Sequence, residues 1–296
     1  MTDFRGRKVA VIGAARTGTA VARALVPLGA GVHVFDAKAA DALTEARDAL
    51  TQAGATFTFG ADEGPELAEA DIVVPSPGVP KTSDVLQKAV ARGQEVWSEP
   101  EVAFRLTDAL FVAVTGTNGK TTTTALIGEM LRDGGLDARV GGNIAPGTPL
   151  VTIAAEASAS AVLVAEISSF QLEWTASFRP VAGVITNITE DHLDRHGTVA
   201  EYAAMKQRLF EFQTPNDAAI INDDSPLALT AGRSSRGGLW TFSRLHEVER
   251  GAFVRSSTIV LRDGPRDREV MDAGDILAPG RHNQENAMAA IIAAHL

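Results

Sequence analysis

Short apolar runs alternate with longer segments of helical periodicity from the start of the chain to about residue 240. Lys8–Ile12 reads as a buried strand, a helix follows to about Gly29, and Val32–Phe35 is a second strand ending at Asp36. A helix near 40–53, Thr56–Phe59, a short helix near 65–69, Asp71–Val74 and Val96-Trp97 continue the alternation. In the second half, Leu110–Thr115, Ala161–Glu166, Val181–Asn187 and Ala218–Asn222 read as strands, with helices near 120–132, 199–212 and 225–231. Apolar runs this continuous mark strands covered on both faces of a parallel sheet. The alternation predicts an α/β fold in two domains, 1–108 and 109–296. After residue 240 the texture changes. Phe253–Leu261 followed by Arg262-Asp263-Gly264-Pro265 predicts a hairpin and an antiparallel extension.

Composition narrows the function classes. The formal net charge of −10 argues against a nucleic-acid-binding surface. With no cysteine, disulfides and thiolate metal sites are excluded. The first residues lack a signal-peptide pattern, and no run is long and apolar enough to span a bilayer. The expectation is a soluble cytoplasmic protein without membrane insertion.

The chemistry concentrates in Thr115-Gly116-Thr117-Asn118-Gly119-Lys120-Thr121, between a strand and a helix. That order cradles phosphate. Loop N–H groups and the helix N-terminus face the anion, a lysine reaches the outer phosphates, and the next hydroxyl ligates Mg²⁺. The second domain is therefore expected to be a central P-loop-type ATPase domain with a mostly parallel sheet. The match is irregular, because Val114 stands where the usual pattern has its first glycine. Near the start, Gly13-Ala14-Ala15-Arg16-Thr17-Gly18 opens a βαβ unit that closes on Asp36, as in Rossmann-like domains. Ala15 replaces the middle glycine of the dinucleotide fingerprint, and its Cβ hinders close approach of a pyrophosphate, which weakens an NAD reading. The rigid turn Pro75–Pro80 sits at a strand's C-terminal end, where such sheets bind ligands.

Polar residues collect at the other strand ends. Glu166 closes one strand and Asn187 another, with His192 shortly after. A carboxylate beside phosphates suits Mg²⁺, an oxygen-seeking cation. Lys206 falls inside the apolar stripe Tyr202, Met205, Leu209 and Phe210. The stripe leaves two readings open: a snorkelling side chain, or a desolvated lysine with a reactive neutral amine. In the run Pro279–Asn286, ahead of a helix predicted over Ala287–Leu296, Asn283 and Asn286 are either helix caps or amides that hold a base edge.

Taken together, the Thr115–Thr121 loop, Gly141-Gly142-Asn143-Ile144 and Arg281-His282-Asn283 with Asn286 resemble the Mur ligases of peptidoglycan synthesis, which form amide bonds at the expense of ATP. The stretches Glu166–Glu173 and Asn187–His196 resemble the branch of that family that adds D-glutamate. The resemblance covers essentially the whole chain. It implies UDP-N-acetylmuramoyl-L-alanine and D-glutamate as substrates, ATP as the activating nucleotide, two Mg²⁺ sites and a monomer. It places Arg16, Thr17, Asp36, Lys38 and Gly78 at the UDP end of the substrate, and Asn143 and Ser168 at its muramoyl end. Gly116, Thr117, Asn118, Gly119, Lys120, Thr121 and Thr122 would bind ATP, with Asn283 and Asn286 toward its adenine. Thr121 and Glu166 would ligate the first metal, and His192 with a carbamylated Lys206 the second. Lys120, Glu166, His192 and Lys206 would be the catalytic set. Ala37-Lys38 departs from the family, which often has a hydroxyl and an arginine there. The resemblance also implies a third domain that binds D-glutamate, and the expectation is that these residues carry the first two of the three. The expectation is that these 296 residues bind UDP-sugar and ATP but form amide bonds poorly. The main alternative is a non-catalytic relative that binds UDP-sugar and ATP. A folylpolyglutamate-type ligase is disfavoured by the early Rossmann-like unit.

Overall fold

The computed structural model describes residues 1–296 apart from Ala145 and Pro279. Contacts divide the chain into two compact units. One comprises Met1–Asp108, Gly147–Ser158 and Phe170–Ser177, and the other Ala109–Pro146, Ala159–Ser169 and Phe178–Leu296. Among the described residues no helix is long and apolar enough to cross a membrane.

The first unit is built on five strands, β1 (Lys8–Ile12), β2 (Gly31–Asp36), β3 (Thr56–Phe59), β4 (Ile72–Pro75) and β5 (Glu95–Val96). They are all parallel, in the order β3-β2-β1-β4-β5. Strands β1 and β4 are buried almost throughout, which is why they read as unbroken apolar runs. The order reverses between β1 and β4, so the loops after them, at Gly13 and Ser76, open where doubly wound sheets take ligands. Ala10, Ile12, Phe35, Leu67, Val73 and Leu86 form the core on one side. The helices Glu99–Leu106 and Leu150–Ala155 carry little sequence signal. The first buries two carboxylates, Glu99 and Glu101, in its opening turn, and the second is too short for a period to show.

The second unit holds a nine-stranded sheet: β6 (Leu110–Thr115), β7 (Ala138–Gly142), β8 (Val162–Glu166), β9 (Ala182–Ile185), β10 (Ala218–Asn222), β11 (Gly238–Ser243), β12 (Gly251–Arg255), β13 (Thr258–Asp263) and β14 (Arg266–Asp272). The order is β14-β13-β12-β11-β10-β9-β6-β8-β7. Pairings from β7 across to β12 are parallel, and the last two are antiparallel. The helices Lys120–Asp133 and Arg281–His295 bury Ile127, Leu131, Met288 and Ile292 against Val112, Val164 and Ile220. The fold class expected from the alternation therefore holds.

One expectation is extended and one corrected. The antiparallel extension and the hairpin through residues 262–265 are present, and the run 253–261 holds a further turn. It breaks at Ser256, whose φ of 57° supplies a left-handed turn without glycine, so two turns build a three-stranded meander. The last helix begins at Arg281 rather than Ala287. Asn283 and Asn286 lie inside it, the N-cap position being Gly280, and their side chains are buried. Pro279, at the head of that run, lies outside the described residues.

Candidate active site

Strand β6 delivers the chain into the loop Gly116–Gly119, and Lys120 begins the helix. From β6 the chain runs outward to β7 and β8, then returns on the other side at β9, so the loop sits at the switch point of the sheet. Both glycines are required. Gly116 has φ 147° and Gly119 φ 82°, and a Cβ on either would collide, with Thr186 Oγ1 and Asn286 Oδ1 respectively.

The residues after β9 clamp this loop. Thr186 Oγ1 donates to Asn118 O (2.6 Å), and Asn118 N donates to Asn187 Oδ1 (3.0 Å). Thr117 N donates to Asn187 O (2.9 Å), and Thr189 N to Thr117 Oγ1 (3.0 Å). Lys120 Nζ donates to Gly116 O (3.1 Å) and Thr117 O (2.7 Å). Burial holds the Lys120 pKa below the usual lysine value, against the pull of Glu166 and Asp191.

Glu166 is buried at the end of β8. It accepts from Thr121 Oγ1 at 2.7 Å and from Asn143 Nδ2 at 3.2 Å. The ends of β6, β7 and β8 thus bring the hydroxyl after Lys120, one carboxylate and one amide into a single cluster. Thr122 is exposed on the same first turn of the helix, and Ser168 is half-buried just beyond Glu166.

Lys206 does not snorkel. It is 1% exposed, its Nζ donates to Gly116 O (2.8 Å), and the ammonium lies 4.3 Å from the centre of the Tyr202 ring. Burial, then the Lys120 cation, pulls its pKa down to about 7, with Asp191 acting in the opposite direction. Its lowered pKa supports the desolvated reading of the stripe. The Tyr202 ring also faces His192 at 6.3 Å and His196 at 5.2 Å. His192 has φ 52°, is about half exposed, and lies beside Asp191 (Nε2 to Oδ2 3.6 Å). His196 Nε2 shares a hydrogen bond of 2.9 Å with Ser169 Oγ.

Asn283 and Asn286 pack behind the loop. Asn286 Oδ1 accepts from Thr123 Oγ1 (3.2 Å), and its amide donates to Asn283 Oδ1 (3.1 Å). On the outer side a cleft of about 740 Å³ is walled by Asn118, Asn187, Asn222, Arg244, His282 and Glu285. The Glu285 carboxylate is steadied there by Asn222 Nδ2 (3.2 Å) and Arg244 Nε (3.5 Å).

This loop, its clamp and the helix behind it fall within residues 114–294, which match the model of the Mur ligase middle domain. The chain belongs to the Mur ligase family. Residues 7–98 match the N-terminal domain of MurD-like Mur ligases. Among curated relatives, the chain is 45% identical over 294 residues to UDP-N-acetylmuramoylalanine--D-glutamate ligase of Pelotomaculum thermopropionicum, covering 99% of this chain and 64% of that protein. It is 44% identical over 290 residues to the protein of the same name from Koribacter versatilis, covering 98% and 63%. The chain thus spans less than two thirds of the length of these relatives. Among solved structures, the UDP-N-acetylmuramate:L-alanyl-gamma-D-glutamyl-meso-diaminopimelate ligase from Neisseria meningitides shares the fold. Its TM-score is 0.61 at 20% identity, covering 98% of this chain and 93% of that chain.

In the N-terminal unit of this Mur ligase, Asp36 holds the backbone on either side of it. It accepts from Ala14 N (2.8 Å) and Lys38 N (2.9 Å), which fixes the glycine turn. Arg16 is exposed and its guanidinium donates to Gly147 O. Thr17 is half-buried beside it, and Lys38 and Gly78 are exposed on the loops after β2 and β4.

The donor set decides which metal sites these residues fit. Thr121 and Glu166 present adjacent oxygens beside a glycine loop at a helix N-terminus, a donor pair that suits Mg²⁺. Lys206 and His192 present nitrogens, which Mg²⁺ does not favour, and the Lys206 amine fits only once CO₂ has converted it to an oxygen-bearing carbamate. Among the described residues no three His, Cys, Asp or Glu side chains group closely enough to hold a metal by themselves. Sequence reasoning did not single out Thr186, Ser169, Tyr202 or His196. Tyr202 had a signal, as the polar-tipped member of the stripe that holds Lys206.

Proposed function

We propose that the chain supplies the nucleotide and UDP-substrate sites of a ligase that joins D-glutamate to UDP-N-acetylmuramoyl-L-alanine, working in the cytoplasm as a monomer. The observation that carries the reading is the joined set Lys120, Thr121 and Glu166 on a rigid loop at the sheet's switch point. The 116–122 segment takes the phosphates of ATP. The cleft beside Asn118 takes the nucleoside end, with Asn283 and Asn286 on the helix that backs it. Arg16, Thr17, Asp36, Lys38 and Gly78 serve the uridine diphosphate, and Asn143 and Ser168 the muramoyl end.

The substrate's L-alanine carboxylate attacks the γ-phosphorus, the bond to the β-bridging oxygen breaks, and ADP leaves an acyl phosphate. The D-glutamate amine then attacks the acyl carbon, phosphate departs, and the nitrogen loses a proton. Lys120 follows the charge that builds on the transferring phosphoryl oxygens. Its ammonium is held beside the loop before the reaction, so little reorganisation is needed. Mg²⁺ bound at Thr121 and Glu166 would neutralise charge on the β- and γ-phosphates. A carbamate at Lys206, with His192, would complete a second site. Its test is labelling with ¹³C-bicarbonate. A carbamate carbonyl resonance is expected from the wild-type chain and not from Lys206→Arg, and no resonance from either removes the second site. The reaction itself is tested by ADP formation that requires UDP-N-acetylmuramoyl-L-alanine.

A further inference from the structure

Glu99 is a buried acid that the proposed chemistry does not use. It is 2% exposed at the start of the helix Glu99–Leu106. Its carboxylate accepts from Val151 N at 2.6 Å and from Gln171 Nε2 at 3.5 Å, and the Leu150 amide bonds to it as well. It therefore pins the start of the helix Leu150–Ala155. Three residues earlier on the same segment, Gly147 O receives the Arg16 guanidinium. Arg16 and this segment line one cleft of about 440 Å³, with Thr19, Arg23, Thr148 and Glu156. An anchored carboxylate, the backbone it anchors and an arginine on that backbone thus form one chain of contacts inside the first unit.

We infer that Glu99 is a positioning residue for Arg16: it never meets the substrate, but it fixes the carbonyl that aims the guanidinium at the diphosphate. The inference rests on the reading of Arg16 as a diphosphate contact. An exposed arginine loses much rotamer freedom when it binds an anion, and a preset partner lowers that cost. The charge of Glu99 matters as well as its shape. Burial pushes its carboxyl up to about 7, opposed by Val151 N, Arg16, Leu150 N and Gln171. Those are the groups that face it. On its own helix, Glu101 is engaged elsewhere, with Arg105, Ser177 and Ala176 N. Above about pH 7 the anion holds both the amides and the guanidinium, and below it the acid holds them weakly. The substrate's diphosphate diester does not titrate in this range.

The test is calorimetric titration of UDP-N-acetylmuramoyl-L-alanine into wild type, Glu99→Gln, Arg16→Ala and the double variant, at pH 6 and pH 8. ATP titration reports on folding of the second unit, and a melting curve on the whole chain. At pH 8 Glu99→Gln is expected to weaken the UDP substrate about tenfold, as loss of an orienting partner typically does, with ATP affinity unchanged. At pH 6 the difference closes, and in the Arg16→Ala background Glu99→Gln adds nothing. If Arg16→Ala weakens the substrate while Glu99→Gln is silent at pH 8, or if the Glu99→Gln effect persists without Arg16, the positioning inference is overturned and the functional reading stands. If wild type fails to bind the UDP substrate at either pH, both fall.

Discussion

Lys120→Met lowers ATP affinity about ten- to a hundredfold, the value of one hydrogen bond to a charged group removed. Methionine keeps the length of the side chain and its helix propensity, so the loop and the helix Lys120–Asp133 should persist. The loop's geometry does not depend on the ammonium. Thr186, Asn187 and Thr189 hold it from the other side. Among the described residues Gly116 O and Thr117 O lose a donor, and Lys206 continues to serve Gly116 O. Calorimetric titration of ATP with Mg²⁺, beside a melting curve, separates the two effects. A loss of affinity without a loss of melting temperature is expected, and unchanged affinity would remove Lys120 from the phosphate site.

Gly119→Val acts on stability and binding together. The position has φ 82°, where a β-branched residue costs roughly 1–3 kcal/mol. Its Cβ would also collide with the Asn286 side chain, and displacing that amide disturbs its buried bonds to Thr123 and Asn283. Overpacking of this kind adds roughly 1–3 kcal/mol. A fall in unfolding free energy of about 2–6 kcal/mol is expected by urea titration, with ATP binding lost even below the melting transition. Gly119→Ala shares the strain and should fall between the two. A stable Gly119→Val chain that binds ATP normally would mean that the loop is not held as described.

The most legible parts of the fold were those where one physical requirement dominates the local sequence. β4, β6, β8 and β10 are buried along nearly their whole length, so they can only be apolar runs. The Gly116–Gly119 loop was legible because its glycines occupy backbone conformations that a side chain would forbid. What escaped were elements where tertiary contacts override local pattern. Glu99 and Glu101 look like surface residues, yet both are buried against amides supplied from residues 150–177. Ser256 turns the chain at a positive φ that a serine does not announce. β7 ends in two glycines and carries a half-buried arginine, so it showed no strand pattern. Around the loop, Glu166 was visible from its place at a strand end, whereas Tyr202 and His196 were not. A ring in an apolar stripe looks like core until the lysine beside it is found over its face. For Asn283 and Asn286 the residues alone left caps and base-edge amides open; the structure puts both inside the helix, with Asn286 against Gly119 and bonded to Asn283.

On the function proposed above, ATP bound at this loop is spent on the carboxylate of a UDP-linked substrate. ADP release measured with Mg²⁺, omitting UDP-N-acetylmuramoyl-L-alanine and D-glutamate in turn, tests it most directly. Whatever ADP forms is expected to require the UDP substrate and to disappear in Lys120→Met. ADP formed at the same rate with and without UDP-N-acetylmuramoyl-L-alanine would contradict it.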